Sequence, residues 1–446
     1  HTCHDGASGQ SGSNNGSNEV QGQTGSDGGN AATQPGWDTG GNSATSQPGS
    51  DAGSSTSWSQ PAANGSDTSS SPANSGADSG AATIPPVGNP GSDSGAGTGT
   101  GTSTTPGAPP LETAPVAGAQ GTPTDAASAL AGFQMPNLSG NVIEPQFGNG
   151  KSDTQAIQDA VNQAAATGGG VVHIPAGTYN IDAANDGIVM KSNVSLVMDK
   201  GTTLQAIPTG AESGCIIDVR NANNVNIYGG KLVGDFGPGA SHSGETMSGI
   251  DVLGSSSNID IQGVESDANK GDGFDISGNG DNIHIAHCVA QGNKRDGLSI
   301  EGGSQIVIEN NAFINTGTAD SYDNEVPSAS RLPNSGIDIE NSPGQSVNGA
   351  IVRNNLLAGN GTPSIDANTS NGWGIRVTGS DGNNSQVIDN TVVGNAAGGI
   401  GVWSGAGNII SGNVIENQPN PYSIFGGSAS GDGNTADGDP VGPTQG

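Results

Sequence analysis

One short phrase returns along the middle of this chain: a small or acidic residue, a glycine, then apolar-x-apolar. It reads Ser248-Gly249-Ile250-Asp251-Val252, Asp272-Gly273-Phe274-Asp275-Ile276 and Asp296-Gly297-Leu298-Ser299-Ile300. It continues as Ser335-Gly336-Ile337-Asp338-Ile339, Asn371-Gly372-Trp373-Gly374-Ile375 and Gly398-Gly399-Ile400-Gly401-Val402. The glycine-to-glycine steps are 24, 24, 39, 36 and 27 residues, which is one basic period with two insertions. Self-similarity at such a period is the mark of a solenoid, in which each repeat buries its apolar face only by stacking on the next.

Two further ladders share the period. One holds Asn258-Ile259-Asp260-Ile261, Asn282-Ile283-His284-Ile285 and Gln305-Ile306-Val307-Ile308; the other holds Asn311-Ala312-Phe313, Asn355-Leu356-Leu357, Asn390-Thr391-Val392 and Asn413-Val414-Ile415. Three short period-two strands per repeat, separated by Gly and Asn turns, predict one coil of a parallel β-helix. The fold class is therefore all-β, a parallel β-helix solenoid with a short N-terminal α-helix, preceded by a low-complexity arm; the right hand and the capping role of that helix are what the family resemblance given below implies. Apolar residues of each phrase point inward, and Asp251, Asp275, Ser299, Asp338, Gly374 and Gly401 line one outer face. Glu301, Glu340, Arg376 and Trp403 extend that face.

Composition bounds the rest. The 446 residues include 78 Gly and only 30% hydrophobic residues, too few for a large conventional core. Residues 1–130 are Gly, Ser, Asn, Thr, Ala and Pro with hardly an apolar run, and are expected to be a disordered arm or spacer. The β-helix is expected over 131–420, with the capping helix at about 153–166, and a flexible tail over 421–446. The net charge of −31 excludes nucleic acid and anionic membranes as partners. No apolar run is long enough to insert into a membrane. The opening on His1 rather than Met is what removal of a targeting segment leaves, and a secreted, extracellular or cell-surface setting is expected. His1-Thr2-Cys3-His4 could hold a soft metal, but nothing in the arm completes the site. Cys3, Cys215 and Cys288 give no disulfide framework, and Cys215 and Cys288 are expected to be buried thiols.

The cap carries a family resemblance. Ser152-Asp153-Thr154-Gln155-Ala156-Ile157 begins with a capping box, and Gly168-Gly169-Gly170 ends the helix before Val172-His173-Ile174-Pro175-Ala176-Gly177-Thr178-Tyr179. This opening resembles the N-terminal cap of the pectate-lyase-like superfamily of right-handed parallel β-helices, and the resemblance covers about residues 145–420.

Two members of the superfamily imply different chemistry. Polygalacturonase motifs resemble Gly271-Asp272-Gly273, which places Asp272 at the acid position, and Arg295-Asp296, which places Asp296 as the second carboxylate. They also resemble Gly374-Ile375-Arg376-Val377, which retains the Arg, whereas Asn334-Ser335-Gly336 lacks the expected His. Mannuronan epimerases imply Asp275 as the carboxylate, but Asp272 and Ser277 stand where their Tyr and His would be, which argues against lyase or epimerase chemistry. Hydrolysis needs only two carboxyls, one protonated and one ionised. The candidate catalytic residues are Asp272, Asp275 and Asp296. Arg376, Arg295, Asp338, Glu340, Trp403 and His242 are the candidate substrate-binding residues: arginine for a uronate carboxylate and tryptophan for a sugar ring. Consecutive coils should lift Asp272, Asp296 and Arg376 onto one open wall. No cofactor is expected, although stacked carboxylates leave Ca²⁺ possible. The longer excursions Thr316–Asn334 and Leu357–Asn371 should form groove walls.

The expected function is a glycoside hydrolase acting on an acidic, uronate-containing polysaccharide such as pectin. The alternative is a non-catalytic structural, adhesive or filament-forming β-helix, self-assembling through its arm or by end-to-end stacking. Asp before Gly is common turn chemistry and would align on this period without catalysing anything. A Gly-rich acidic arm ahead of a pectin-type β-helix also resembles the two-part harpins, by analogy of architecture alone.

Overall fold

The computed structural model describes residues 121–237, 246–318, 334–362, 371–378 and 384–445. His242, most of both insertions and the arm before residue 121 lie outside the described residues.

Among the described residues, three sheets of ten, twelve and eleven strands run side by side, and nearly every pairing is parallel between successive coils. The expected β-helix is what forms. The recurring phrase supplies the ten-stranded sheet, called here the site sheet, through strands Thr246–Gly254, Phe274–Gly278, Leu298–Ile300, Ile337–Ile339, Trp373–Val377 and Gly398–Val402. The second ladder forms Ser257–Gln262, Asp281–Ala286 and Gly303–Glu309 of the twelve-stranded sheet. The third forms Ala312–Ile314, Leu356–Ala358, Thr391–Val393 and Val414–Glu416 of the eleven-stranded sheet. Ile250, Phe274, Leu298, Ile337, Ile375 and Ile400 stack through one fully buried column.

The asparagines explain how so thin a core turns its corners. Asn311, Asn355, Asn390, Asn413 and Asn434 stack at one bend, each nearly or fully buried. The side-chain oxygen of each accepts the amide of the one before it, at 3.0 Å for Asn311 on Asn355, Asn355 on Asn390 and Asn390 on Asn413. Buried backbone donors at a turn have no strand partner, and this ladder satisfies them.

Helix α1 spans Ala126–Ala131 and helix α2 spans Asp153–Ala166. Helix α2 starts at the foreseen box, with the Gln155 amide donating to Ser152 Oγ at 3.2 Å. It buries Ala156, Ile157, Ala160, Val161 and Ala164 over the first coil, closing the apolar end that a solenoid must hide.

Three expectations are corrected. The solenoid does not begin at 131: α1 packs Ala129 against Val289, Ala312 and Leu356, and the strap after it reaches Val142–Ile143, which pairs with Val171 and Val172. Nor is 421–446 a tail, because Tyr422–Ile424 and Thr444–Gln445 extend the site sheet while Thr435–Ala436 extends the eleven-stranded one. Both stretches are polar in composition, yet the coil gives each a ready sheet edge to pair with. Cys215 and Cys288 are both buried, but only Cys288 is a free thiol; Cys215 is disulfide-bonded. No helix among the described residues is long and apolar enough to cross a membrane.

Candidate functional site

The Asp-Gly pairs that open the second and third phrases, Asp272-Gly273 and Asp296-Gly297, set the geometry of the site. The glycine is required by close approach: a Cβ on Gly273 would lie 2.5 Å from the Ala290 Cβ and 2.6 Å from the Gly297 carbonyl oxygen. The aspartate before it reaches to the following coil. Asp272 Oδ1 accepts the Asp296 amide at 2.8 Å, and Asp296 Oδ1 accepts the Ser335 amide at 2.5 Å. Each carboxylate therefore staples its coil to the next through one oxygen, which is the turn role that Asp-Gly spacing also allowed.

The other oxygens face Arg295. Its guanidinium lies 3.3 Å from Asp272 Oδ2, 3.9 Å from Asp296 Oδ2 and 3.9 Å from Glu340 Oε1. One coil on, Arg376 Nη1 donates to Asp338 Oδ2 at 2.7 Å, and the Arg376 guanidinium sits 5.6 Å from the centre of the Trp403 ring. The structure thus gathers Asp272, Arg295, Asp296 and Glu340 into one cluster, with Asp338, Arg376 and Trp403 beside it. Asp275 lies in register with Asp251 and, through it, Asp218, close enough for its charge to act on Arg295 and Asp272. His242 lies outside the described residues.

Two features of the expected wall are overturned. First, the fifth phrase is read two residues early: Ile337 pairs with Ile375 and Asp338 with Arg376, so Gly374 rather than Gly372 matches Gly336. Arg376 consequently joins the row of Asp275, Ser299 and Asp338, while Trp403 follows Thr378 in the row of Glu340. A slip of two preserves the apolar-x-apolar alternation, so alternation alone could not detect it. Second, the wall is not open. Asp272 is 2% exposed and Asp296 is fully buried, as is Asp338. The Glu340 side chain keeps 26% exposure and Arg376 11%, so these two form the lip of the site.

Burial governs the protonation of the carboxyls. Loss of hydration raises Asp272 to about 6, against the downward pull of Arg295 and of the Asp296 amide. Glu340 rises to about 7 through burial and the nearby charges of Asp338 and Glu301, which outweigh Arg295 and Arg376. Asp296 is pushed well above the usual carboxylate range by burial and by Asp272 and Asp338. Asp275 and Asp251 rise for the same reason, each burdened by its carboxylate neighbours, and burial takes Asp218 to about 6. Surrounded by acids, Arg295 holds its proton more firmly still. The cluster therefore stores protons near neutral pH beside a permanent cation. Among the described residues no group of three His, Cys, Asp or Glu side chains has metal-holding geometry.

Sequence reasoning missed Asp218, Trp373 and Phe425. Asp218 lies in Ile216-Ile217-Asp218-Val219, where the phrase lacks its leading glycine. Trp373 was mistaken for an inward apolar residue of the misread phrase. Phe425 stood in the supposed tail, although Tyr422-Ser423-Ile424 repeats the apolar-x-apolar signal.

Residues 148–330 match the profile of the family described as rhamnogalacturonase A/epimerase, pectate lyase-like, in agreement with the resemblance carried by the cap. The chain is 39% identical over 82 residues to alginate lyase 7 of Azotobacter vinelandii, covering 17% of this chain and 10% of that protein. It is 30% identical over 98 residues to the uncharacterized protein YclG of Bacillus subtilis, covering 20% of this chain and 17% of that one. These matches span less than a fifth of either relative's length. Among solved structures, the A-module of the Azotobacter vinelandii mannuronan C-5 epimerase AlgE6 aligns over 68% of this chain and 91% of its own, with a TM-score of 0.44 at 20% identity.

Proposed function

We propose that this chain is an extracellular glycoside hydrolase acting on an acidic, uronate-containing polysaccharide. One observation carries the reading: a single buried guanidinium, Arg295, faces three carboxyls, of which Glu340 reaches solvent and titrates at about 7 while Asp272 titrates at about 6. Two carboxyls of unequal acidity are what inverting hydrolysis asks for. Glu340 is the general acid that protonates the leaving oxygen from the lip. Asp272 is the carboxylate that takes a proton from water, and Arg295 keeps it ionised. Asp296, with one oxygen bound to the Ser335 amide, positions the other two rather than reacting. Arg376 and Trp403 hold the sugar. Asp272 is covered, so substrate binding must bring a water to it.

A second reading, a non-catalytic surface rod, is favoured by the coil-to-coil bonds of Asp272 and Asp296, which give both residues a structural purpose. Release of reducing ends from polygalacturonate and alginate separates the two. The hydrolase reading expects turnover by the wild-type chain, loss of at least about a hundredfold in Glu340→Gln and Asp272→Asn, and a smaller loss in Asp296→Asn. No turnover in either leaves the rod, and equal turnover in wild type and Glu340→Gln removes Glu340 from the reaction.

A further inference from the structure

Three aromatic rings from consecutive coils meet at the C-terminal end of the site sheet. Trp403 and Phe425 are stacked, with centroids 4.5 Å apart and planes 17° apart. Trp373 stands edge-on to both, at 5.0 and 5.7 Å, and is 1% exposed. Space for the rings comes from missing side chains: a Cβ on Gly398 would lie 2.4 Å from the Trp373 ring, and one on Gly401 would lie 2.4 Å from Trp403. Those positions carry Asp296 or Ser335, and Asp338 or Arg376, on earlier coils. Only Trp373 is sealed in. Phe425 remains 41% exposed, and the strand that follows it, Thr444–Gln445, brings no further ring.

A core needs no ring held flat and uncovered, whereas a pyranose offers an apolar face of just that kind. We propose that Phe425, backed by Trp403, is a stacking shelf for one ring of an acidic polysaccharide, with Arg376 reading that sugar's carboxylate. Continuity argues for this occupant over another: Trp403 packs against Arg376, Arg376 pairs with Asp338, and Asp338 adjoins the Arg295 cluster, so the shelf prolongs the proposed site along the coil stack. Charge argues the same way. The site sheet is rich in carboxylates, and the Arg376 guanidinium lies 5.6 Å from the centre of the Trp403 ring.

The inference rests on the polysaccharide reading for the kind of ligand but not for turnover, so binding is measured alone. Tryptophan fluorescence of the full chain is titrated with hexagalacturonate and, as a neutral control, maltohexaose. Wild type should show saturable binding that favours hexagalacturonate. Phe425→Ala and Phe425→Leu should each weaken it by about tenfold, the leucine because it lacks a flat ring. Arg376→Gln should abolish the preference for the charged sugar. Because Phe425 is exposed, both of its variants should fold, which thermal melting checks. The shelf is overturned if wild type binds neither sugar, if Phe425→Ala binds like wild type, or if that variant instead dissolves a self-association of the wild-type chain. Binding without release of reducing ends would leave the shelf standing and remove the hydrolase.

Discussion

Replacing Asp272 by Asn should flatten the dependence of stability on pH. In the folded chain Asp272 is buried and titrates at about 6, against an ordinary value of 3.8. A carboxyl raised on folding is protonated in both states at low pH, where its contribution is fully favourable. That contribution is lost as pH rises through the folded value, because the unfolded chain ionises more readily. Roughly two units at 1.36 kcal/mol each give about 3 kcal/mol lost between about pH 4 and pH 7. Asparagine keeps an oxygen for the Asp296 amide, and its new clash of donors with Arg295 does not change with pH. Urea unfolding at several pH values isolates the titrating part, since fixed packing changes cancel within each protein. The difference in unfolding free energy, Asn variant minus wild type, should grow by about 3 kcal/mol across that window. Parallel curves would refute the reasoning, because they would mean that Asp272 is hydrated or better paired than this burial allows.

Removing the cation should do the reverse: Arg295→Met strands Asp272, Asp296 and Glu340 together and should cost about 3–5 kcal/mol at neutral pH by urea unfolding, less in acid. Asn355→Ala breaks one rung of the asparagine ladder, leaving the Asn311 amide without its acceptor, and should lower stability by about 1–3 kcal/mol in the same assay. Cys288, fully buried and with its thiol pushed up to about 12, should resist an aromatic disulfide reagent until the chain is unfolded. Turnover of polygalacturonate should follow a bell-shaped pH profile, its limbs set by the Asp272 and Glu340 carboxyls at about 6 and about 7.

The fold was legible because a coil has to repeat itself. Ile250, Phe274, Leu298 and Ile337 can stack only if the glycine before each lets neighbouring backbones approach, so the phrase had to be written out in full. The capping box at Ser152 and Gln155 is equally local. The stretches that failed are those whose order comes from a partner: Ala126–Ala131 is held by a surface that the sequence assembles more than 150 residues later, at Val289 and beyond. The site was legible in which residues share a face, because face is set by alternation, but not in their exposure. Nothing in Asp272-Gly273 or Asp296-Gly297 shows that one oxygen of each carboxylate is committed to the next coil's amide. Glu340 was named on the outer row, yet its place at the lip follows only from the depth of Asp338 and Asp296 around it.

The central claim, that the Arg295 cluster cuts a polysaccharide by hydrolysis, is tested most directly by the products. Polygalacturonate incubated with the full chain near pH 6.5 and examined by proton NMR should be shortened to fragments with saturated, newly reducing ends. Polymer of unchanged length at every pH, or fragments ending in an unsaturated sugar, would contradict the account.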